Sequence, residues 1–254
     1  MADSTNGDAW EEDPLKLKGR PSMPCDLGEV FRVGTGEGST KNARMALPHP
    51  PFGTTYQGGG VTSIPSIPTV KVEAKRFEFE FYVEPKESDG RRGVVDQLSR
   101  ALCTEALHVA NGVIMGELQG CAHGSADKCG ADGLFSIAAR LCASYPYPQF
   151  PTGVALLLPS SKMASLLSSP GTHVAVWGGS GMQRVFANGV EAIAYGPEGA
   201  GNALTYIVPR RGSVGLAMSK VAIHAPEEGG RRHVRAHFYA GAHPLSGPVR
   251  RAAF

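Results

Sequence analysis

VVDQLSRALCTEALHVANGVIMGEL, residues Val94 to Leu118, is the stretch whose reading decides the fold. Its apolar residues Val95, Leu98, Leu102, Ala106, Val109 and Val113 recur every three or four positions, the repeat of one helical face. An unbroken helix over this stretch runs roughly 38 Å at 1.5 Å per residue, long enough to brace a whole subunit. Gly93 sits just before it, Ser88 and Asp89 supply starting chemistry upstream, and Gly116 and Gly120 the stop. Gly112 falls inside the pattern, where it costs about 1 kcal/mol against alanine and marks a place for a bend.

Immediately upstream lies TVKVEAKRFEFEFYV, residues 69–83. Val70, Val72 and Ala74 alternate with charged residues. After Lys75 and Arg76 the phase slips by one, and Phe77, Phe79, Phe81 and Val83 alternate with Glu78, Glu80 and Tyr82. Such a slip means a bulge, a twist or a strand that changes the surface it packs on. Two readings follow: two short strands with a kink, or one arm of a long two-stranded projection whose other side lies near 43–67. Residues 48–68 are rich in Pro and Gly. Residues 1–42 have few apolar side chains and are punctuated by Pro14, Pro21, Pro24, Gly34, Gly36 and Gly38. Such a segment is expected to be an arm that becomes ordered only against a partner.

Downstream, 119–133 is a Gly-rich loop and Leu134 to Ala143 a short helix. Val154–Leu158, Val174–Trp177, Val190–Tyr195, Leu204–Val208 and Val214–Met218 are strand candidates, with one helix near Lys162–Leu167. Val221–His224 is ambiguous, and Val234, Ala236 and Phe238 alternate with polar residues in a last strand. Helices and strands are segregated, which points to an α+β fold.

At 254 residues, with 42% hydrophobic and 19% charged side chains, the composition is globular. The net charge of +2 is too small for a protein that wraps nucleic acid by charge alone. The ends differ in sign: 1–14 holds five acids and no base, whereas 210–254 holds eight Arg and Lys against Glu227 and Glu228. Five cysteines, an odd number without a C-x-x-C pair, argue against a disulfide framework. No basic start followed by an apolar run is present, so the expectation is a protein that works or assembles inside a cell, without a membrane.

Catalytic chemistry is hard to assemble from these residues. Cys121, His123, Asp127, Cys129 and Asp132 have zinc-ligand chemistry, yet their spacing matches no zinc site and a fourth ligand is not evident. Gly34 to Lys41 (GTGEGSTK) puts its lysine after Ser39 and Thr40 instead of before a hydroxyl residue, unlike a phosphate loop. Ser180 lacks the second flanking glycine of a nucleophile elbow and reads as a turn. His233 and His237 belong on the wet face of a strand. Arg210, Arg211, Arg231, Arg232, Arg235, Arg250 and Arg251 are expected to meet acidic neighbours rather than phosphates. The expectation is no catalytic residue, no cofactor and no metal.

The order of parts resembles the major capsid protein of tailed bacteriophages, the Hong Kong 97-like fold. The likeness rests on 69–83 leading into Val94–Leu118, and on HVRAHFYAG (233–241) and PVRRAAF (248–254), which look like that family's closing strands. It implies an N-terminal arm at 1–42 and an extended loop at 43–83. A peripheral domain would take 84–145 with 226–254, and an axial domain 146–225. It further implies self-assembly into pentamers and hexamers of an icosahedral shell, located in the virion capsid and built in the host cytoplasm. Portal, scaffolding or decoration proteins and packaged double-stranded DNA, bound without sequence preference, would be its partners. No Lys and Asn pair matches the inter-subunit crosslink of some members. The rival readings are an encapsulin-like compartment shell and, more distantly, a soluble metal-dependent enzyme using the Cys121–Asp132 loop.

Overall fold

The computed structural model describes residues 9–14, 32–35, 42–46, 69–84, 91–121, 127–144, 153–179, 182–195, 204–210, 212–228, 231–245 and 249–254. The chain begins with β1 (Ala9–Glu12), β2 (Arg32–Thr35), β3 (Asn42–Ala46), β4 (Thr69–Glu73) and β5 (Lys75–Val83). Next come α1 (Arg91–Cys121), β6 (Asp127–Lys128), α2 (Ala131–Ser144), β7 (Val154–Pro159) and α3 (Ser160–Leu167). The remaining strands are β8 (Val174–Gly179), β9 (Met182–Ala187), β10 (Val190–Tyr195), β11 (Thr205–Pro209) and β12 (Val214–Met218). Then follow β13 (Val221–His224), β14 (Glu227–Glu228), β15 (Arg231–Pro244) and β16 (Arg250–Ala253). The fold is α+β.

The first sheet is built on β15. One side of β15 pairs with β5 over nine positions, Arg232 opposite Val83 through Ala240 opposite Lys75. Its other side pairs with β12, β13 and β14, which act as one long strand. Met218 faces Ala240 and Ala222 faces His237, so four steps on one strand answer three on the other, a one-residue bulge at Ser219 and Lys220. The Ser219 hydroxyl fills the gap by accepting the Tyr239 N–H at 2.9 Å.

Helix α1 packs across β15, β12 and β13. Val94, Leu98, Leu102, Ala106, Ala110, Ile114 and Leu118 are buried, each four residues after the last. Steps of four overshoot a 3.6-residue turn by about 40°, so the row winds round the helix. Such a row inclines by about 26° to the axis, which suits a twisted sheet underneath. Phe238 is fully buried beneath it, with Phe77 and Phe79 stacked on its ring at 5.4 and 5.8 Å.

The second sheet has the order β6, β16, β11, β7, β10, β9, β8. Its middle is buried on both faces. Ala155, Leu157, Tyr206 and Val208 join the α1 core, while Val154, Leu156, Leu158 and Ile207 join a second core with Leu134, Ile137, Ala138 and Leu141 of α2 and Leu166 of α3. Continuous apolar runs in β7 and β11 are the sequence signature of that double burial. At the foot of this sheet, Arg210 donates to the buried carboxylate of Glu191.

Several expectations change. Helix α1 is longer than Val94–Leu118 and runs through Gly116 and Gly120, so neither glycine stops it. Val109 and Val113 are half-buried, and Ala110 and Ile114 hold the core positions instead. A regular 3.6 repeat misses a row that precesses. Parts of the 1–42 arm need no partner: β1 pairs antiparallel with β13, and β2 parallel with β12. An open sheet edge offers backbone hydrogen bonds to any extended segment, whether or not that segment has apolar side chains. The phase slip is a break between strands at Ala74, with β4 pairing to β3 and β5 built into the large sheet. Strand β9 is an addition, and Val221–His224 is a strand.

Candidate assembly surfaces

Three exposed features are shaped for contacts. The first is the hairpin β3–β4, a two-stranded unit with Asn42 opposite Glu73 and Ala46 opposite Thr69. Its root is fixed by Val72, fully buried against Ala217 of β12, with Val70 beside it. Residues 47–68, most of the expected other side of the projection, lie outside the described residues.

The second feature is the polar ladder of β5 and β15, on the face away from α1. Glu80 accepts hydrogen bonds from His233 Nε2 at 2.8 Å and Arg235 Nε at 3.2 Å. The His233 bond, followed by the Arg235 bond and charge, holds the Glu80 carboxyl below its ordinary 4.5. Tyr82, 62% exposed, stacks on the His233 ring at 4.6 Å. Arg76 and Glu78 pair at 2.7 Å, and Arg231 and Glu84 at 2.8 Å. Charges at alternate positions guard an outer strand against indiscriminate pairing.

The third feature is β8, at the end of the second sheet. Val174 and Val176 are 43% and 56% exposed; with Tyr82 they are the large exposed apolar side chains among the described residues. Strand β9 behind it turns into β10 through Asn188 (φ 49°) and Gly189 (φ 78°), both in the left-handed region. That Asn-Gly pair was the sequence signal for the hairpin that the apolar pattern of β9 did not give.

Of the suspected metal loop, the described cysteines are divided between the two cores. Cys121 packs at the rim of the α1 core, whereas Cys129 and Cys142 border the second core, and Asp132 is exposed in the first turn of α2. His123 lies outside the described residues, as do Gly36 to Lys41, Ser180 and Arg211. Among the described residues no three His, Cys, Asp or Glu side chains converge on one point. Cys103, buried and facing Glu12 and Asp13, is pushed up to about 11, first by burial and then by those charges. Gly34 sits in β2 as an ordinary ladder residue opposite Ala217. His233 lies on the side of β15 away from α1 but, contrary to expectation, does not face solvent: it is 7% exposed, with Tyr82 stacked on its ring and Glu80 bonded to it. Of the C-terminal basic residues, Arg210 meets Glu191, Arg231 meets Glu84, Arg235 meets Glu80, and Lys220 reaches Glu11 of β1 at 3.3 Å, whereas Arg232 donates to the Ala225 carbonyl.

The arrangement as a whole aligns with solved capsid structures. The capsid of an empty GTA particle aligns with a TM-score of 0.59 at 8% identity, covering 94% of this chain and 92% of that one. A Microbacterium phage Oxtober96 structure gives 0.54 at 15% identity over 93% of both chains. The chain has the Hong Kong 97-like capsid fold. That capsid fold is shared by the holo-SrpI encapsulin complex from Synechococcus elongatus, at a TM-score of 0.55, 12% identity and coverage of 93% and 90%. No family model and no curated protein matches the sequence. No helix among the described residues is long and apolar enough to cross a membrane.

Proposed function

We propose that this chain is a structural capsid subunit that assembles with copies of itself, as pentamers and hexamers, into an icosahedral shell around double-stranded DNA of a tailed phage. The observation that carries the reading is the capsid fold running through more than nine-tenths of the chain. The surfaces agree with it: a hairpin led out across one sheet, and exposed valines on the end strand of the other. Nothing in this role calls for a catalytic residue, a cofactor or a metal. The peripheral part is the first sheet with α1, and the axial part is the second sheet with α2 and α3. The packing of α2 and of Ala252 of β16 in the second core, and of β12 and β13 under α1, supports this division. The site of action is the virion capsid, with assembly in the host cytoplasm and portal, scaffolding or decoration proteins as further partners.

The likeness to an encapsulin supports a second reading, a compartment shell with a protein cargo. Negative-stain microscopy of the expressed chain tests both: closed shells are expected, and a monomer at every concentration would end the proposal. Mass spectrometry of particles from the native source separates the two readings, since DNA with a portal marks a virus and one enriched enzyme marks a compartment.

A further inference from the structure

Where β5 gives way to β4, the chain leaves the edge of the first sheet and crosses its face. Strand β4 packs over β15 and β12, and β3 reaches β2. The point of crossing is unusually close. A Cβ placed on Gly241 of β15 would lie 2.1 Å from the Glu73 carbonyl oxygen and 2.8 Å from Ala74 Cα. Both are backbone atoms, so no side chain can swing away to make room.

The residues beneath the crossing form a row. Gly241 stands opposite Ala217, and Ala217 opposite Gly34, across three neighbouring strands. Their flanking residues Ala240, Ala242, Leu216 and Met218 all belong to the α1 core. Since side chains alternate along a strand, Gly241 and Ala217 turn to the opposite face, where the hairpin lies. Val72 occupies that face fully buried on Ala217. A glycine within a long central strand weakens it, and close approach of another backbone is the circumstance that requires one.

We propose that Gly34, Ala217 and Gly241 form a saddle that sets the direction in which the β3–β4 hairpin leaves the subunit, and that shell formation depends on Gly241 for this direction rather than for subunit stability. The proposal rests on the capsid reading and adds the residues that aim the loop at a neighbouring copy. A methyl group at position 241 lifts the Glu73–Ala74 backbone and tilts everything beyond it. The core under α1, on the other side of the sheet, keeps its packing.

The test uses the full chain and a reporter thiol introduced by Val72→Cys, labelled with a maleimide and read by peptide mass spectrometry. In the seated hairpin that thiol is protected. Adding Gly241→Ala is expected to raise its labelling rate and to lower shell yield, each by at least ~10-fold, from overpacking at a closed contact. Native labelling or native shell yield with Gly241→Ala overturns the proposal. Should that variant not fold, Ala217→Leu replaces it, with Val72→Ala as the compensating change. Loss of shells in the single variant and recovery in the double, at similar thermal stability, supports the saddle; failure to recover overturns it. If the unaltered chain forms no shells, the capsid reading fails, while the labelling comparison still decides whether the saddle seats the hairpin.

Discussion

Glu80 shows how single side chains tie the outer strand to the sheet. Its carboxylate is stabilised by His233 and Arg235, so its folded-state pKa is lowered. A lowered carboxylate contributes stability that is present above the unfolded value and lost as pH falls through the folded one. Stability should therefore drop on acidification below about pH 4.5. Glu80→Gln should flatten that part of a plot of melting temperature against pH by lowering the melting temperature at neutral pH toward its acid value, a small effect because the Glu80 carboxylate is exposed. Thr205 is the converse case: it is fully buried in β11, and its hydroxyl has no hydrogen-bond partner among the described residues. Thr205→Val keeps the shape and removes the stranded polar group, and should stabilise the chain by about 1 kcal/mol in urea unfolding. Neither role was legible in the sequence. Glu80 looked like one more charge in an alternating strand, and Thr205 sat in an apolar run with nothing to say which neighbours it would lack.

Helix α1 is the element most fully written in the sequence, and its glycines show where that writing is loose. Gly112 and Gly116 lie on its exposed face, and a Cβ on either would meet nothing within 4 Å. Gly112→Ala and Gly116→Ala should each stabilise the isolated subunit by roughly 0.5–1 kcal/mol, and the effects should add in thermal or denaturant unfolding. A loss of stability from either would show that the helix bends there. Strand β1 was the element least legible. Its residues AWEE offer little to bury, yet Trp10 is half-buried at the edge of the α1 core and its indole N–H donates to Ser99 at 3.0 Å. Trp10→Ala removes both, and should cost about 2–3 kcal/mol and release β1 to proteases before the body unfolds.

For the whole molecule, charge follows the same logic of local pairing. Within the basic segment 210–254, Arg210, Lys220, Arg231 and Arg235 face carboxylates on β10, β1, the residue after β5 and β5. Binding of the isolated subunit to DNA should be weak, with a shallow dependence on salt; a steep slope of affinity against salt would mean many phosphate contacts and contradict this picture. The sequence by itself determined the helix and about half of the strands, because those follow from side-chain spacing within a few residues. Even the break at Ala74 was visible as a slip of phase. The tertiary structure alone decided which strands share a sheet, that β1 and β2 complete the chain's own edge, and that β4 crosses at Gly241. Strand partners are joined by backbone groups that every residue carries, across separations that reach from Ala9 to His224, and no local pattern encodes that choice.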